Sequence, residues 1–135
     1  MGLPGRPVGF AMVDKRRAAG VVSSENLVAG DVEGGVVFLL DDLIAGGGTM
    51  QRAALALRQS GAVTVLAFAA HGLFTGSAAA VLDDGCLSGI AITDSVPPFR
   101  LAADVAVRAR LSIASIVPAF AQAIAASHET WRHKR

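Results

Sequence analysis

The chain has 135 residues, the size of one ordinary domain, and 53% of them are apolar, which supplies a sizeable core and excludes a disordered chain. Its formal net charge is only +1, so neither nucleic acid nor an anionic membrane is an expected partner. Cys86 is the single cysteine, which excludes an intrachain disulfide and a Cys/His zinc cluster and fits a reducing cytoplasm, the expected location.

Residues 2–9 are rich in Gly and Pro and predict a loose lead-in, with no apolar signal-peptide core behind Arg6. Residues 8–13 form a short apolar run, a candidate strand, and Asp14-Lys15-Arg16-Arg17 follows at once. Residues 18–34 are small, polar and unpatterned, an expected mobile loop that closes on the turn signal Gly30-Asp31-Val32-Glu33-Gly34. Residues 36–40 are five apolar residues in a row, as in a parallel strand buried on both faces. Over 49–60 the apolar and small residues Met50, Ala53, Ala54 and Leu57 recur at helical spacing, and Gly61 is a natural stop. A second buried strand is predicted over 63–69, too short an apolar stretch to span a bilayer, then a short helix over 77–82 and a third strand over 89–93. Pro97-Pro98 breaks any element there. A strand over 111–115 and a closing helix over 117–126, with Pro118 in its first turn, complete the chain. Strands alternating with helices predict one α/β domain over 1–135, a parallel sheet flanked by helices on both sides.

The strongest chemical signal lies where the strand at 36–40 meets the helix at 49–60. Gly46, Gly47 and Gly48 let the backbone take positive φ and approach a ligand closely. The helix beyond aims its free N–H groups and positive dipole end at the turn, which suits a phosphate, and Thr49 adds a hydroxyl. No Lys follows the last glycine, so this is not a Walker loop, and the spacing is not that of a dinucleotide fingerprint. Asp41-Asp42 precedes the glycines at the carboxyl end of a parallel strand, where open α/β sheets place their ligands. Carboxylates there suit ribose hydroxyls or a hydrated Mg²⁺, and either Asp can instead cap the turn. Lys15, Arg16 and Arg17 can neutralise polyphosphate oxygens in a transition state, or simply form a solvated face.

An apolar strand, two acids, two variable residues and a Thr-Gly-Gly-Thr-like turn resemble the phosphoribosyltransferase fold. More narrowly, five segments stand in the order and spacing of ribose-phosphate diphosphokinases: Asp14-Lys15-Arg16-Arg17, Gly30-Asp31-Val32-Glu33-Gly34, the loop at 41–49, His71-Gly72-Leu73-Phe74-Thr75-Gly76 and Thr93-Asp94-Ser95-Val96-Pro97. The resemblance is to the carboxy-terminal half of that enzyme. It implies transfer of the β,γ-diphosphate of ATP, with Mg²⁺, to the C1 hydroxyl of ribose 5-phosphate, making phosphoribosyl diphosphate for nucleotide biosynthesis. It implies that Lys15 is catalytic and that Arg17 contacts ribose 5-phosphate or the transferring phosphates. It also implies that Asp41, with Asp42 beside it, binds the ribose hydroxyls, and that Ala45, Gly46, Gly47, Gly48 and Thr49 line the 5-phosphate. Thr75, Gly76 and Ser77 fall near the family's subunit contacts and regulatory phosphate site.

Two departures from the family pattern matter. Ala45-Gly46 stands where the family has Asp-Thr, and each contact so removed costs on the order of 1–3 kcal/mol if buried and unreplaced. The amino-terminal half, which in the family supplies Mg²⁺ ligands and much of the ATP site, has no counterpart here, so no metal ligand is assignable. Two alternative readings stay open: a non-catalytic ribose-phosphate-binding or regulatory subunit, and a phosphoribosyltransferase acting on a base. A homo-oligomer, or a complex with a fuller-length homologue, is the expected assembly. His71, at a strand end, can simply cap the sheet with a hydrogen bond.

Overall fold

The computed structural model of the protein describes residues 9–13 and 28–132. Lys15, Arg16 and Arg17 lie outside these residues, as do positions 18–27 of the expected loop. Within the described part, β1 (Met12–Val13) pairs antiparallel with β2 (Val28–Ala29), so the stretch expected as loop over 18–34 contains a short strand.

Four parallel strands follow in the order β3 (Val36–Ile44), β4 (Thr64–Gly72), β5 (Gly89–Thr93) and β6 (Leu111–Ala114). Each strand is the sequence neighbour of the next, with helices in the connections. These are α1 (Gly48–Gln59), α2 (Ala78–Leu82) and α3 (Ala106–Ala109), and α4 (Val117–Arg132) ends the fold. The parallel α/β architecture therefore stands as the sequence predicts.

The core lies on one face of the sheet. Met50, Ala54 and Leu57 of α1 pack with Val65 and Ala67 of β4, Ile90 and Ile92 of β5, Leu82 of α2 and Val107 of α3. Ala54 and Ala67 are fully buried, and their small side chains let α1 sit close to the sheet. Leu57 alone, 1% exposed, contributes about 2 kcal/mol of transfer free energy. Two arginines tie the loops to this core through carbonyl oxygens. Arg58 donates to Cys86 O and Val63 O and to Ser88 Oγ, while Arg110 donates to Leu87 O, Leu82 O and Asp83 Oδ1. The end of α1 is closed by Gly61 at φ 91°, with Ala62 N donating to Leu57 O.

The expected cover on both faces is corrected by the structure. Along β3, Val37 and Leu39 join the core, but Val36, Phe38 and Leu40 point the other way and stay exposed, Leu40 at 74%. An unbroken apolar run cannot say whether one face or two are covered. α4 is longer than the expected 117–126, and no residue from Val117 to Trp131 is buried.

Candidate functional site

The glycine turn sits at the carboxyl end of β3 and the amino end of α1. β3 extends to Ile44, so Asp41 and Asp42 belong to the strand, held there by parallel pairing of Asp41 with Ala69 and of Leu43 with His71. Strand alternation turns them to opposite sides: Asp41, half-buried, follows Val37 and Leu39, while Asp42, exposed, follows Phe38 and Leu40. The Asp41 carboxylate accepts the Asp42 N–H at 3.0 Å, which fixes the first acid at the sheet's edge.

The turn is clamped from behind by residues 73–75. Leu73 N and Phe74 N donate to Ile44 O at 2.9 and 3.2 Å, and Thr75 N donates to Ala45 O at 3.0 Å. Phe74 is 2% exposed and takes φ 47°, an uncommon conformation for a bulky residue, so packing and these bonds hold it there. The sequence pattern carried no sign of this clamp beyond the presence of His71–Gly76. It makes the expected regulatory segment a direct neighbour of the glycine turn: Thr75, half-buried, bonds to Ala45, while Gly76 and Ser77 are exposed at the start of α2.

The three glycines do different jobs. Gly47 precedes α1 in the left-handed region, φ 80°, and a Cβ there would lie 2.8 Å from Leu82 Cγ. Gly46 has no positive φ, and a Cβ on it would meet nothing within 4 Å, so it fronts open space. Gly48 opens α1, and Gln51 N donates to Gly47 O at 2.9 Å as the first helical bond. The N–H groups of Gly48, Thr49 and Met50 therefore have no partner within the helix. No side chain caps α1 and its first turn holds no acid, so the positive dipole end stays uncompensated. This is a donor set for a phosphate-sized anion, with Asp41 on the strand before it.

A second polar group lies at the carboxyl ends of β4 and β5. His71 Nδ1 is 2.7 Å from Ser95 Oγ, and Thr93 Oγ1 donates to Ala70 O at 2.6 Å. Asp94 accepts the Ile116 N–H at 2.9 Å, and that bond, with Ser115 adding to it, holds its carboxyl below the ordinary value. Cys86 is no candidate nucleophile: burial and the neighbouring Asp84 carboxylate push its thiol up to about 12. Partial burial pushes Asp84 up, but hydrogen bonds from Cys86 and Gln51 outweigh it and keep the carboxyl below its usual range.

Among the described residues no carboxylate pair converges on one point: Asp41 and Asp42 diverge, and no three His, Cys, Asp or Glu side chains come together. The structure thus brings Asp41 and the turn at 45–49 together, clamps Thr75 behind them and turns Asp42 away. Phe120, Ile124, His128 and Trp131 lie along one side of α4.

The family model described as the phosphoribosyl synthetase-associated domain matches residues 23–129. The chain belongs to that family. A ribose-phosphate pyrophosphokinase from Caldanaerobacter subterraneus subsp. tengcongensis is 38% identical over 121 residues, 89% of this chain and 37% of the relative. One from Pasteurella multocida is 42% identical over 88 residues, 65% of this chain and 28% of the relative. The crystal structure of phosphoribosylpyrophosphate synthetase from Mycobacterium smegmatis superposes with a TM-score of 0.70 at 32% identity, over 89% of this chain and 37% of that one. The fold is thus the phosphoribosyltransferase-like α/β fold that the motif order implied. The chain spans about a third of the length of these relatives (28–37%). No helix among the described residues is long and apolar enough to cross a membrane.

Proposed function

We propose that the chain carries the ribose-phosphate half of a ribose-phosphate pyrophosphokinase reaction, corresponding to the carboxy-terminal part of the family's enzymes. In that reaction the C1 hydroxyl oxygen of ribose 5-phosphate attacks the β-phosphorus of ATP. The bond to the α-phosphate oxygen breaks, AMP leaves, and phosphoribosyl diphosphate forms. The observation that carries this reading is the uncapped start of α1, which Gly47 sets at the carboxyl end of the parallel strand that holds Asp41. The N–H groups of Gly48, Thr49 and Met50 would hold the 5-phosphate, and the Asp41 carboxylate would accept hydrogen bonds from the ribose hydroxyls. Gly46 leaves room for the sugar phosphate to approach, since its α-carbon faces open space.

Lys15, with Arg17 near it in sequence, would neutralise the transferring diphosphate. Little covalent help is needed for this step, so charge and positioning dominate. Mg²⁺ supplies charge neutralisation to ATP when bound, and its ligands would come from outside the described residues. Thr75, Gly76 and Ser77 would take an effector phosphate, coupled to the turn through the bond from Thr75 N to Ala45 O. A cytoplasmic place, a role in nucleotide biosynthesis and an oligomeric state follow the same reading. Ala45 favours a second one, a ribose-phosphate-binding subunit without catalysis, because a methyl group stands where the family pattern has a carboxylate.

The experiment is kinetic. The chain is supplied with the remaining part of a relative, as an upstream extension or a separate protein, and diphosphate transfer is followed. Lys15→Ala should lower kcat by roughly a hundredfold, a loss of a few kcal/mol of transition-state stabilisation, and leave ribose 5-phosphate binding nearly unchanged. Full activity of Lys15→Ala would refute the catalytic assignment. Inactivity with Lys15 present, relieved by Ala45→Asp, would establish the second reading.

A further inference from the structure

Arg52 is the one charged residue among the first five of α1, and its sign is wrong for that place. The start of a helix is its positive dipole end, so an acid there stabilises and a cation destabilises. α1 has no acid in its first turn and no side-chain cap. Asp84 reaches Gln51, but its two oxygens accept from Gln51 Nε2 at 2.7 Å and from Cys86 N at 3.0 Å. The stability of the helix alone gives no reason for a cation at this end.

The conformation of Arg52 brings its charge to the glycine turn. Long helical side chains lean toward the amino end, so residue 52 covers residue 48, one turn back. A Cβ on Gly48 would stand 3.2 Å from Arg52 Nη1, tighter than an ordinary contact. With glycine at 48 the guanidinium lies that close without a shift. It therefore stands beside the α-carbon whose N–H heads α1, while Arg52 stays exposed. Gly48 thereby gains a task unlike those of Gly46 and Gly47: it seats the arginine.

We propose that Arg52 is a phosphate-binding residue, its guanidinium donating to the 5-phosphate beside the N–H groups of Gly48, Thr49 and Met50. This rests on the ribose-phosphate reading of the turn and names the charge that such a ligand needs. A phosphate monoester carries about −1.5 to −2 at neutral pH. Neither Ala45 nor Gly46 has a side-chain donor, so the turn itself meets that charge with neutral groups only. The planar fork of an arginine fits two phosphate oxygens at once. Arg58, Arg108 and Arg110 hold loop carbonyls, and Arg100 lies over the Phe99 ring, 4.4 Å from its centroid, and donates to Leu73 O. Arg52 differs from these in lying at the start of α1. The ligand class follows: a dianionic sugar phosphate, selected by charge as well as by shape.

The test is calorimetric titration of the full chain with ribose 5-phosphate at low salt, where an exposed charge is least screened. Arg52→Gln should weaken binding about tenfold, the loss of one charge-assisted contact. Arg52→Lys keeps the charge without the fork and should recover part of that loss. Raising the salt to about 0.5 M should weaken the parent more than Arg52→Gln. Both variants change an exposed position and should keep the parent's circular dichroism. If Arg52→Gln does not, Arg52→Met, of high helix propensity, takes its place. Equal affinities for the parent and Arg52→Gln would overturn the proposal and leave the backbone turn standing. A parent that gives no heat would overturn it together with the ribose-phosphate reading. A loss that lysine does not relieve and that salt does not distinguish would also overturn it, because the ligand would then not be meeting the charge of the arginine.

Discussion

Replacing Gly47 by alanine separates a glycine needed by the fold from one needed by a ligand. Gly47 has φ 80°, and left-handed backbone costs a residue with a Cβ about 1–2 kcal/mol. The new methyl would stand 2.8 Å from Leu82 Cγ, 3.0 Å from Cδ2 and 3.3 Å from Cδ1. Leu82 is fully buried and the contact is with its branch point, so it cannot swing clear, and such overpacking costs a further 1–3 kcal/mol or so. The expected loss is therefore about 2–5 kcal/mol. Gly46→Ala meets nothing within 4 Å at an ordinary φ, so its effect should lie within about 1 kcal/mol, toward stabilisation through a less flexible unfolded chain. Urea unfolding should lower the midpoint of Gly47→Ala strongly with an unchanged slope, and leave that of Gly46→Ala near the parent's. Leu82→Ala should relieve the steric part of the Gly47→Ala loss, giving a favourable coupling in the double-mutant cycle. Equal midpoints for the two glycine variants, or a coupling of zero, would refute the assignment of Gly47 to packing.

The Cys86 thiol, pushed up to about 12 and buried, should resist a thiol reagent at pH 8 in the folded protein and react at once in denaturant; rapid labelling of the native protein would contradict the burial. Asp94 and Asp84 have folded carboxyl values below the ordinary 3.8, so the unfolded state binds more protons as the pH falls through that value. Their contribution is therefore full above about pH 5, declines from there and is lost as the pH drops through the folded values. Asp94→Asn, which gives up the ionised acceptor of Ile116 N, should flatten the acid limb of the stability curve, as should Asp84→Asn. Acid limbs identical to the parent's would show that these hydrogen bonds do not hold in solution.

The elements that position the site were legible because their signals are local. The period over Met50, Ala53, Ala54 and Leu57 gives α1, and the valine-rich apolar run gives the first part of β3. The extension of β3 through Asp41 and Asp42 to Ile44 was hidden, because pairing with β4 outweighs the turn-like composition of those residues. α3 was missed since four residues after Pro97-Pro98 have no room for a period. α4 runs past the expected end because Ser127, His128 and Glu129 break an apolar count but not a solvated helix. In the site, three adjacent glycines read alike in sequence. Only the approach of Leu82, from an element 35 positions away, gives Gly47 a packing role and leaves Gly46 facing open space. The opposed directions of Asp41 and Asp42 were readable from strand alternation, once the strand is known to include them. Lys15 and Arg17 stand outside the described residues, so their part in the site rests on motif order alone.

Calorimetric titration of ribose 5-phosphate tests the central claim most directly, because it reads the turn without requiring ATP, Mg²⁺ or the rest of a longer enzyme. Binding should be weak, since Ala45 adds no carboxylate, with a measurable heat for the parent chain. Gly46→Val adds bulk on the open side of the turn without touching the core, and should abolish that heat at unchanged stability. Asp41→Asn should weaken binding by about tenfold, near 1.4 kcal/mol, through loss of the charged acceptor for ribose hydroxyls. Equal heats for the parent and Gly46→Val, or no heat from the parent at millimolar ligand (about the weakest affinity of interest), would contradict the account.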